Sequence, residues 1–593
     1  MTMRARFNRN TIVQAVPAIL VVTVGSCVLI TYSVGQWRSM YVPSWDLAIF
    51  SEMAKAYAHG QAPIVPIKGD DFNLLGDHFH PILIVLGPIW RLFPSPLTLL
   101  VVQDLLLAVS AWPLTRLATR LLGRVPATAL GLFYVLSWGF QGAVAAQFHE
   151  IAFAVPMLAF ASAAFVEERW RACILWSAPL VLVKEDLGLT VLMIGLAIAW
   201  RTRRENADDE SLPLLSRGLG LALFGLASFL VTTVVILPLL NPHGTWGYSL
   251  GGGDSTGPWL ARLYSPAVKL ETLAVLACTA GIIGLRSPWM IVAAPTLAWR
   301  FLGNVDFYWE WKNWHYNAVL IPIALGALLD VLAGLKRKRA APAQAAPSPA
   351  TTGASAPSPG ATGATSASAP SPDATAASAP SPATTSASAP SPATTSASAP
   401  SPDATSATTA SAPSPGTTSA TGASTGTSAP NPDATSATTV SAPSPGTTSA
   451  TTATGWLAAP VWARRLVALG VSVPLIMGVF TATDLPLWAM TREDFGREPA
   501  RATAAQQVLN TIPLGATVRT DLGLLAYLVP KATVYWVGTS TTPTDYVVVD
   551  SHSPAWGANP PKDAAAWAME HSPGSTYELI LNVGGYQVAR RSE

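Results

Sequence analysis

The stretch TIVQAVPAILVVTVGSCVLI, residues 11–30, decides the class of fold. It carries no charged residue, and a helix of this length crosses about 30 Å of hydrocarbon. Arginines at positions 4, 6 and 9 precede it, and the apolar run passes into Tyr32 and Trp37 without a small-residue cleavage site. The pattern predicts an uncleaved membrane anchor with its N-terminus in the cytoplasm.

Composition extends this prediction to the whole chain. Its 593 residues are 50% hydrophobic and only 12% charged, whereas soluble domains carry about 25% charged residues. A soluble enzyme is therefore excluded. A net charge of +2 provides no basic face for nucleic acid. The three cysteines lie in apolar runs without metal-ligand spacing, which indicates packing residues.

Apolar runs and basic clusters together predict an all-α polytopic membrane protein with about eleven transmembrane helices. With the N-terminus inside, nearly every Lys and Arg cluster falls on the cytoplasmic side. The run 81–93 is short and is interpreted as a re-entrant or interfacial helix. The membrane domain covers 1–339, and the last helix lies in 455–483. The predicted spans are 12–34, 95–116, 125–142, 151–167, 172–183, 187–200, 217–239, 269–286, 288–303, 316–334 and 460–483.

Residues 340–454 form a repetitive segment of Ala, Ser, Thr, Pro and Gly. Nothing in it can offset chain entropy by burial, so a long disordered linker is predicted. The predicted topology makes it cytoplasmic; on the outer side, the same composition would suggest an O-glycosylated stalk.

Residues 484–593 have a different pattern. A helix is predicted at 497–509, and the strands predicted in this segment are 516–520, 533–537, 546–550 and the hairpin 578–581 with 586–589. This is a small C-terminal α/β domain, placed outside the cytoplasmic membrane.

Unusual polar residues converge on the predicted outer side, directly at span ends. Ionisable groups beside apolar spans are costly and usually mark a functional cavity. The first outer loop, 35–80, is the richest in such residues. The full set is Asp46, Asp70, Asp71, Asp77, His78, His80, His149, Glu150, Lys184, Glu185, Asp186, Asp254, Asp306, Glu310, Lys312 and His315.

Asp46 begins a helical stripe over 46–58, which is expected to lie on the outer membrane surface. Asp46 has two interpretations. It is a helix N-cap, or it is a general base that takes a proton from an acceptor hydroxyl.

The neighbouring histidines are also open to several interpretations. His78 and His80 either bond to backbone, contact a phosphate or sugar, or bind a metal. Asp46, Asp77 and His80 are candidate ligands for a divalent cation such as Mg²⁺ or Mn²⁺.

The remaining clusters also have structural and functional interpretations. His149 and Glu150 form a structural turn, orient a donor or pair with Lys184. Lys184, with Glu185 and Asp186, is a solvated helix end or a phosphate site. Glu310 and Lys312 lie in the aromatic run 307–316, which is an interfacial belt or a sugar platform.

No nucleotide-binding or hydrolase motif is present. Any transferase must therefore use a donor available from the membrane.

Four motifs in order carry a resemblance to a known family: WDLAIF (45–50), DHFHPIL (77–83), FHE (148–150) and VKEDLG (183–188). Together they resemble a family of predicted bacterial membrane proteins of unknown function that is related to the C-type (GT-C) glycosyltransferases. The resemblance covers roughly 35–335 and is weaker in 484–593; the linker departs from the family pattern.

That resemblance implies a GT-C-like fold and a polyprenyl-phosphate-linked sugar donor, with a hydroxyl acceptor such as a cell-wall glycan. The reaction would run among membrane lipid at the outer face. Asp46 occupies the place of the class's first-loop carboxylate, so the resemblance makes it the base. Lys184, His80 or a metal would stabilise the leaving phosphate. Two alternatives remain: a transporter or flippase of a lipid-linked or polar solute, and a non-catalytic scaffold or sensor.

Overall fold

A computed structural model of the protein describes residues 9–40, 45–205, 212–244, 261–303, 305–344, 456, 459–557 and 559–592. Residues 1–340 and 429–593 belong to one compact unit. The predicted linker, except for its first residues, lies outside the described residues, as does Asp254.

The chain is mostly helical. The helices of the membrane part are α1 (Arg9–Arg38), α2 (Trp45–Ala58), α3 (Leu86–Leu92), α4 (Pro96–Leu122), α5 (Arg124–Val135), α6 (Trp138–Ala145), α7 (Ala154–Val166), α8 (Trp170–Ser177), α9 (Leu187–Glu205), α10 (Leu212–Val231), α11 (Leu237–Leu240), α12 (Val268–Thr279), α13 (Ala294–Leu302), α14 (Leu320–Gln344) and α15 (Val461–Thr481). Short 3₁₀ turns precede several of them, including Pro81–Val85, Glu150–Phe153, Ala178–Leu182 and Pro288–Ala293.

Six helical segments among the described residues are long and apolar enough to cross a membrane. They are Val13–Arg38, Pro96–Leu122, Arg124–Ala145, Leu215–Leu240, His315–Arg337 and Val461–Asp484. Length and composition therefore support a membrane protein but do not confirm eleven spans. The other predicted spans correspond to shorter apolar helices, such as Glu150–Val166 and Trp170–Leu182, or to helices with charged or broken ends.

Glycines let α9 and α10 pack at close range. A side chain added at Gly195 would come within 2.4 Å of the backbone nitrogen of Ala222, and one at Gly225 within 2.5 Å of the carbonyl oxygen of Gly188. Gly188 pairs with Gly225 and Gly195 with Ala222, so the two helices run antiparallel. Such small-residue contacts let helix backbones approach each other where lipid provides no hydrophobic driving force.

The C-terminal region confirms a small sheet domain. Its five-stranded sheet has the order β2-β1-β3-β5-β4. The strands are β1 (Thr517–Thr520), β2 (Thr533–Trp536), β3 (Tyr546–Asp550), β4 (Thr576–Val583) and β5 (Tyr586–Ser592). The first three are parallel, and β5 pairs antiparallel with β3 and β4.

Three helices complete the domain: α16 (Ala502–Thr511), α17 (Leu525–Leu528) and α18 (Ala564–His571). The predicted helix at 497–509 was wrong at its start, because Glu498 and Pro499 precede Arg501, which caps α16. The sequence analysis did not predict α18.

Protein covers most of α2, the helix that the sequence pattern predicts on the outer membrane surface. Nine of its residues are buried, among them Glu52. One side of α2 packs on the membrane helices and another on the C-terminal domain, so Glu52 and Lys55 contact protein rather than water. This burial places the start of α2 at the candidate site.

Candidate functional site

A sharp turn after α6 presents His149. Gln103 of α4 holds this turn: its side-chain nitrogen donates to the carbonyl of Gln147 at 2.9 Å, and its side-chain oxygen accepts from the His149 amide at 3.1 Å. Gln147 has a φ of 72°, a backbone conformation that residues other than glycine rarely adopt. A buried glutamine thus braces an unusual turn.

A second strained turn presents His315. Trp314 precedes it with φ 66° and ψ 163°, a region that is essentially restricted to glycine and costs about 1–3 kcal/mol. The rings of His149 and His315 stack with centroids 3.5 Å apart and an angle of 21°. Such strain persists only where surrounding contacts impose it, and it clusters at functional sites.

Asp46 is the accessible member of this group. It lies in the first turn of α2, where the helix dipole favours a carboxylate. Its Oδ2 atom lies 3.5 Å from His149 Nε2, and the side chain is 41% exposed, against 6% for His149. Phe50, one turn further along α2, packs edge-on against His149. The carboxylate is therefore held from the protein side and open on the other.

Near His149 and His315, two buried ion pairs join three segments of the chain. Lys184 Nζ donates to Glu150 Oε1 at 2.8 Å, and His78 Nδ1 lies 2.7 Å from Glu185 Oε1. The Phe79 amide donates to the other oxygen of Glu185 at 3.0 Å. These contacts fasten the end of the first outer loop to the start of α9.

Burial and charge shift the titration of this cluster. Burial by itself lowers the pKa of Lys184, but the carboxylates of Glu150, Glu185 and Asp186 outweigh it and hold the pKa well above its usual range. Burial raises the pKa of Asp186 to about 6, although Lys184 opposes the rise. Burial and Lys184 lower the pKa of His78, yet Glu185 raises it above its ordinary value. Opposite charges thus stabilise one another away from water.

The cavity between these groups is small. It is lined by Glu150, Ile151, Lys184, Asp186, Leu187, Thr296, Trp299, His315, Tyr316 and Val319, and has a volume of about 20 Å³. Trp299 donates to Asp186 Oδ2 at 3.1 Å, while Asp186 Oδ1 and His315 Nδ1 have no partner among the described residues. Such a space holds about one water molecule and is too small for a sugar.

The other predicted site residues lie in separate contacts. Asp77 pairs with Lys68 at 3.0 Å. His80 is buried against Phe50, and burial lowers its pKa to about 4. Glu310 accepts from Asn313 at 2.9 Å, and Lys312 lies 3.8 Å from Asp484.

No group of three or more His, Cys, Asp or Glu in the described part of the chain is arranged to hold a metal. The suggested combination of Asp46, Asp77 and His80 does not form one.

Sequence reasoning missed Gln103 and Tyr316. Gln103 and Asp104 are adjacent buried polar residues in the apolar helix α4, which was itself a signal, because polar groups within spans are usually functional. Tyr316 lines the cavity, but its position within an aromatic run offered no way to distinguish it from its neighbours.

Comparison with known proteins supports one assignment. No curated protein and no solved structure matches the chain. Residues 36–346 match the predicted membrane protein family DUF2079, whose function is unknown. This match covers more than half of the 593 residues, and the chain therefore belongs to the DUF2079 family.

Proposed function

We propose that the protein is a membrane glycosyltransferase that moves a sugar from a polyprenyl-phosphate donor to a hydroxyl acceptor at the outer face of the cytoplasmic membrane. The observation that carries this proposal is Asp46, the exposed carboxylate of the cluster, with its Oδ2 atom 3.5 Å from His149 Nε2. A carboxylate that acts as a general base must be accessible to the substrate and held in a fixed orientation.

In this mechanism Asp46 accepts the proton of the acceptor hydroxyl. The acceptor oxygen bonds to the anomeric carbon, and the bond from that carbon to the phosphate oxygen breaks. The polyprenyl phosphate leaves as a stable anion and needs no proton. His149 orients Asp46 and stabilises its carboxylate before transfer.

The buried ion pairs stabilise the turn that carries His149. Lys184 is neutralised by Glu150 at 2.8 Å, and the cavity beside it has a volume of only about 20 Å³. We therefore assign Lys184 to holding the His149–Glu150 turn, and the donor to the open side of Asp46. A second candidate function is an ion-coupled transporter. The observation that favours it is the buried cluster of titratable groups around Lys184, because such groups beside membrane helices often mark ion pathways.

The site end of the bundle supports the predicted crossings. Glu185, just before α9, contacts His78, and Asn241, just after α11, donates to the carbonyl of Gly76 at 3.0 Å. The start of α9 and the end of the segment that follows α10 therefore both contact the first outer loop, so the two helices form a hairpin whose open end lies at this loop. With 19 residues, α9 is about 28 Å long, enough to cross.

The opposite end gathers the basic residues. Arg120, in the last turn of α4, pairs with Glu167, just after α7, and Lys336 donates to the Arg120 carbonyl at 2.8 Å. Trp456, before α15, donates to the Leu121 carbonyl at 2.8 Å. Because the helices alternate between two ends, we infer eleven crossings with the basic end in the cytoplasm.

Lipid extracts from three strains test the function: wild type, deletion, and deletion rescued with Asp46→Asn. Mass spectrometry measures each polyprenyl-phosphate sugar. We expect one species to accumulate in the deletion and to stay high with Asp46→Asn present at normal amounts. Wild-type levels with Asp46→Asn would refute Asp46 as the base. No change in any strain would favour the transporter.

A further inference from the structure

The helix that carries Asp46 lies between two parts of the protein. Trp45, Glu52 and Lys55 are spaced by seven and three residues, so they share one face of α2. Asp46 and Phe50 are four residues apart and share another, which faces His149. The first face meets the C-terminal domain, and the second meets the membrane helices.

Glu52 binds the exposed edge of the sheet. Strand β2 is the terminal strand and pairs only with β1. The Val534 amide of β2 therefore points away from the sheet, and it donates to Glu52 Oε1 at 2.9 Å. Glu52 is 5% exposed, so this contact satisfies a buried edge donor that would otherwise lack a partner.

Lys55 binds the carbonyl groups that follow α17. Its Nζ donates to the carbonyl of Val529 at 2.9 Å and to that of Ala532 at 2.6 Å. Lysines suit the unsatisfied carbonyls at helix C-termini. At the N-terminal end of α2, Trp45 packs edge-on against Trp536 with centroids 4.6 Å apart. The domain thus contacts α2 along its length, including the residue beside Asp46.

The first outer loop makes a second set of contacts with the same domain. Asp70 accepts from Ser540 Oγ at 2.9 Å and from Thr542 Oγ1 at 2.7 Å. At the end of α1, the ring of Trp37 stacks on Tyr527 with centroids 4.1 Å apart. Trp37 precedes α2 in the chain and Asp70 follows it, so the domain contacts the segments on both sides of the helix.

We propose that the C-terminal domain positions Asp46, with Glu52 and Lys55 as the positioning residues, rather than serving as a separate binding module. This proposal rests on the proposed function of Asp46. Small displacements of a reacting group are expensive: a shift of about 1 Å can reduce a rate by about a hundredfold. A helix held through its opposite face controls such a displacement.

The test uses the full-length protein in nanodiscs and the polyprenyl-phosphate sugar that accumulates in the deletion strain. Glu52→Ala is expected to speed amide hydrogen exchange in 45–58 and to lower turnover by about tenfold to a hundredfold. Glu52→Gln keeps an oxygen acceptor for Val534 and should restore both. Glu578→Ala, which removes a carboxylate at the exposed surface of the same domain, is the matched control.

A double-mutant comparison separates positioning from general damage. If Glu52 acts through Asp46, Glu52→Ala should slow the residual turnover of Asp46→Asn no further. Multiplying effects would overturn the proposal, as would wild-type turnover by Glu52→Ala. If Asp46→Asn itself turns over normally, the proposed function fails instead, and faster exchange in 45–58 would then report only docking.

Discussion

The buried pair of Lys184 and Glu150 provides the sharpest test of the site's architecture. Their side chains are 12% and 3% exposed, and the atoms are 2.8 Å apart. Lys184→Met leaves Glu150 without its cation in a buried site, and breaking such a pair costs about 3–5 kcal/mol of folding free energy. We expect the upper part of this range, because Glu185 and Asp186 also rely on Lys184.

Lys312→Met is the matched control, since Lys312 and Asp484 are 43% and 54% exposed at 3.8 Å. Such a pair contributes about 0–1 kcal/mol. Titration with SDS in mixed micelles, followed by tryptophan fluorescence, gives the midpoint of unfolding for each variant.

Adding Glu150→Gln to Lys184→Met removes the stranded charge and should recover much of the loss. Equal midpoints for Lys184→Met and Lys312→Met, or a double variant less stable than Lys184→Met, would refute the reasoning.

Two further predictions concern pH and topology. Because the pKa of His78 is raised in the folded protein, its pairing with Glu185 stabilises fully below the ordinary histidine pKa of about 6.5 and fades as pH rises through the folded value. The stability advantage over His78→Gln should therefore shrink with rising pH; a constant difference would contradict this. In a cysteine-free background, Gln61→Cys and Thr576→Cys should react with an impermeant maleimide from one side of the membrane and Arg203→Cys only from the other. Labelling of Gln61→Cys and Thr576→Cys from opposite sides would refute the eleven-crossing topology.

Much of the candidate site could be predicted because charged residues stand directly at the ends of apolar runs. His78, Glu150, Lys184 and Glu185 come from three such ends, and the structure brings them together. The stacking of His149 on His315 could not be predicted in the same way. It depends on two turns with positive φ at Gln147 and Trp314, residues for which sequence offers no local signal of that conformation.

The span count shows a different limit. Hydropathy windows identify helices of about twenty apolar residues, and α9 fails because Arg201, Arg203 and Arg204 lie before its end. In the structure Arg201 pairs with Asp330, which also accepts from Ser287 at 2.6 Å. The buried carboxylate of Asp330 thus stabilises the charge of Arg201 inside the helix bundle. A prediction from composition alone counts the same charge as evidence against a membrane crossing. In the proposed topology, contacts at the helix ends therefore indicate crossings that helix length does not.

The role of α2 escaped sequence analysis for a physical reason. The apolar stripe over 46–58 predicts a surface helix, because the polar face opposite such a stripe usually meets water. The same pattern arises when the polar face must satisfy backbone groups of another domain. Val534 lies 482 residues after Glu52, and Ala532 lies 477 residues after Lys55. A sheet predicted from local alternation does not reveal which helix covers its edge. A charged face on a helix that also carries a candidate base is therefore best tested as an interface before it is assigned to solvent.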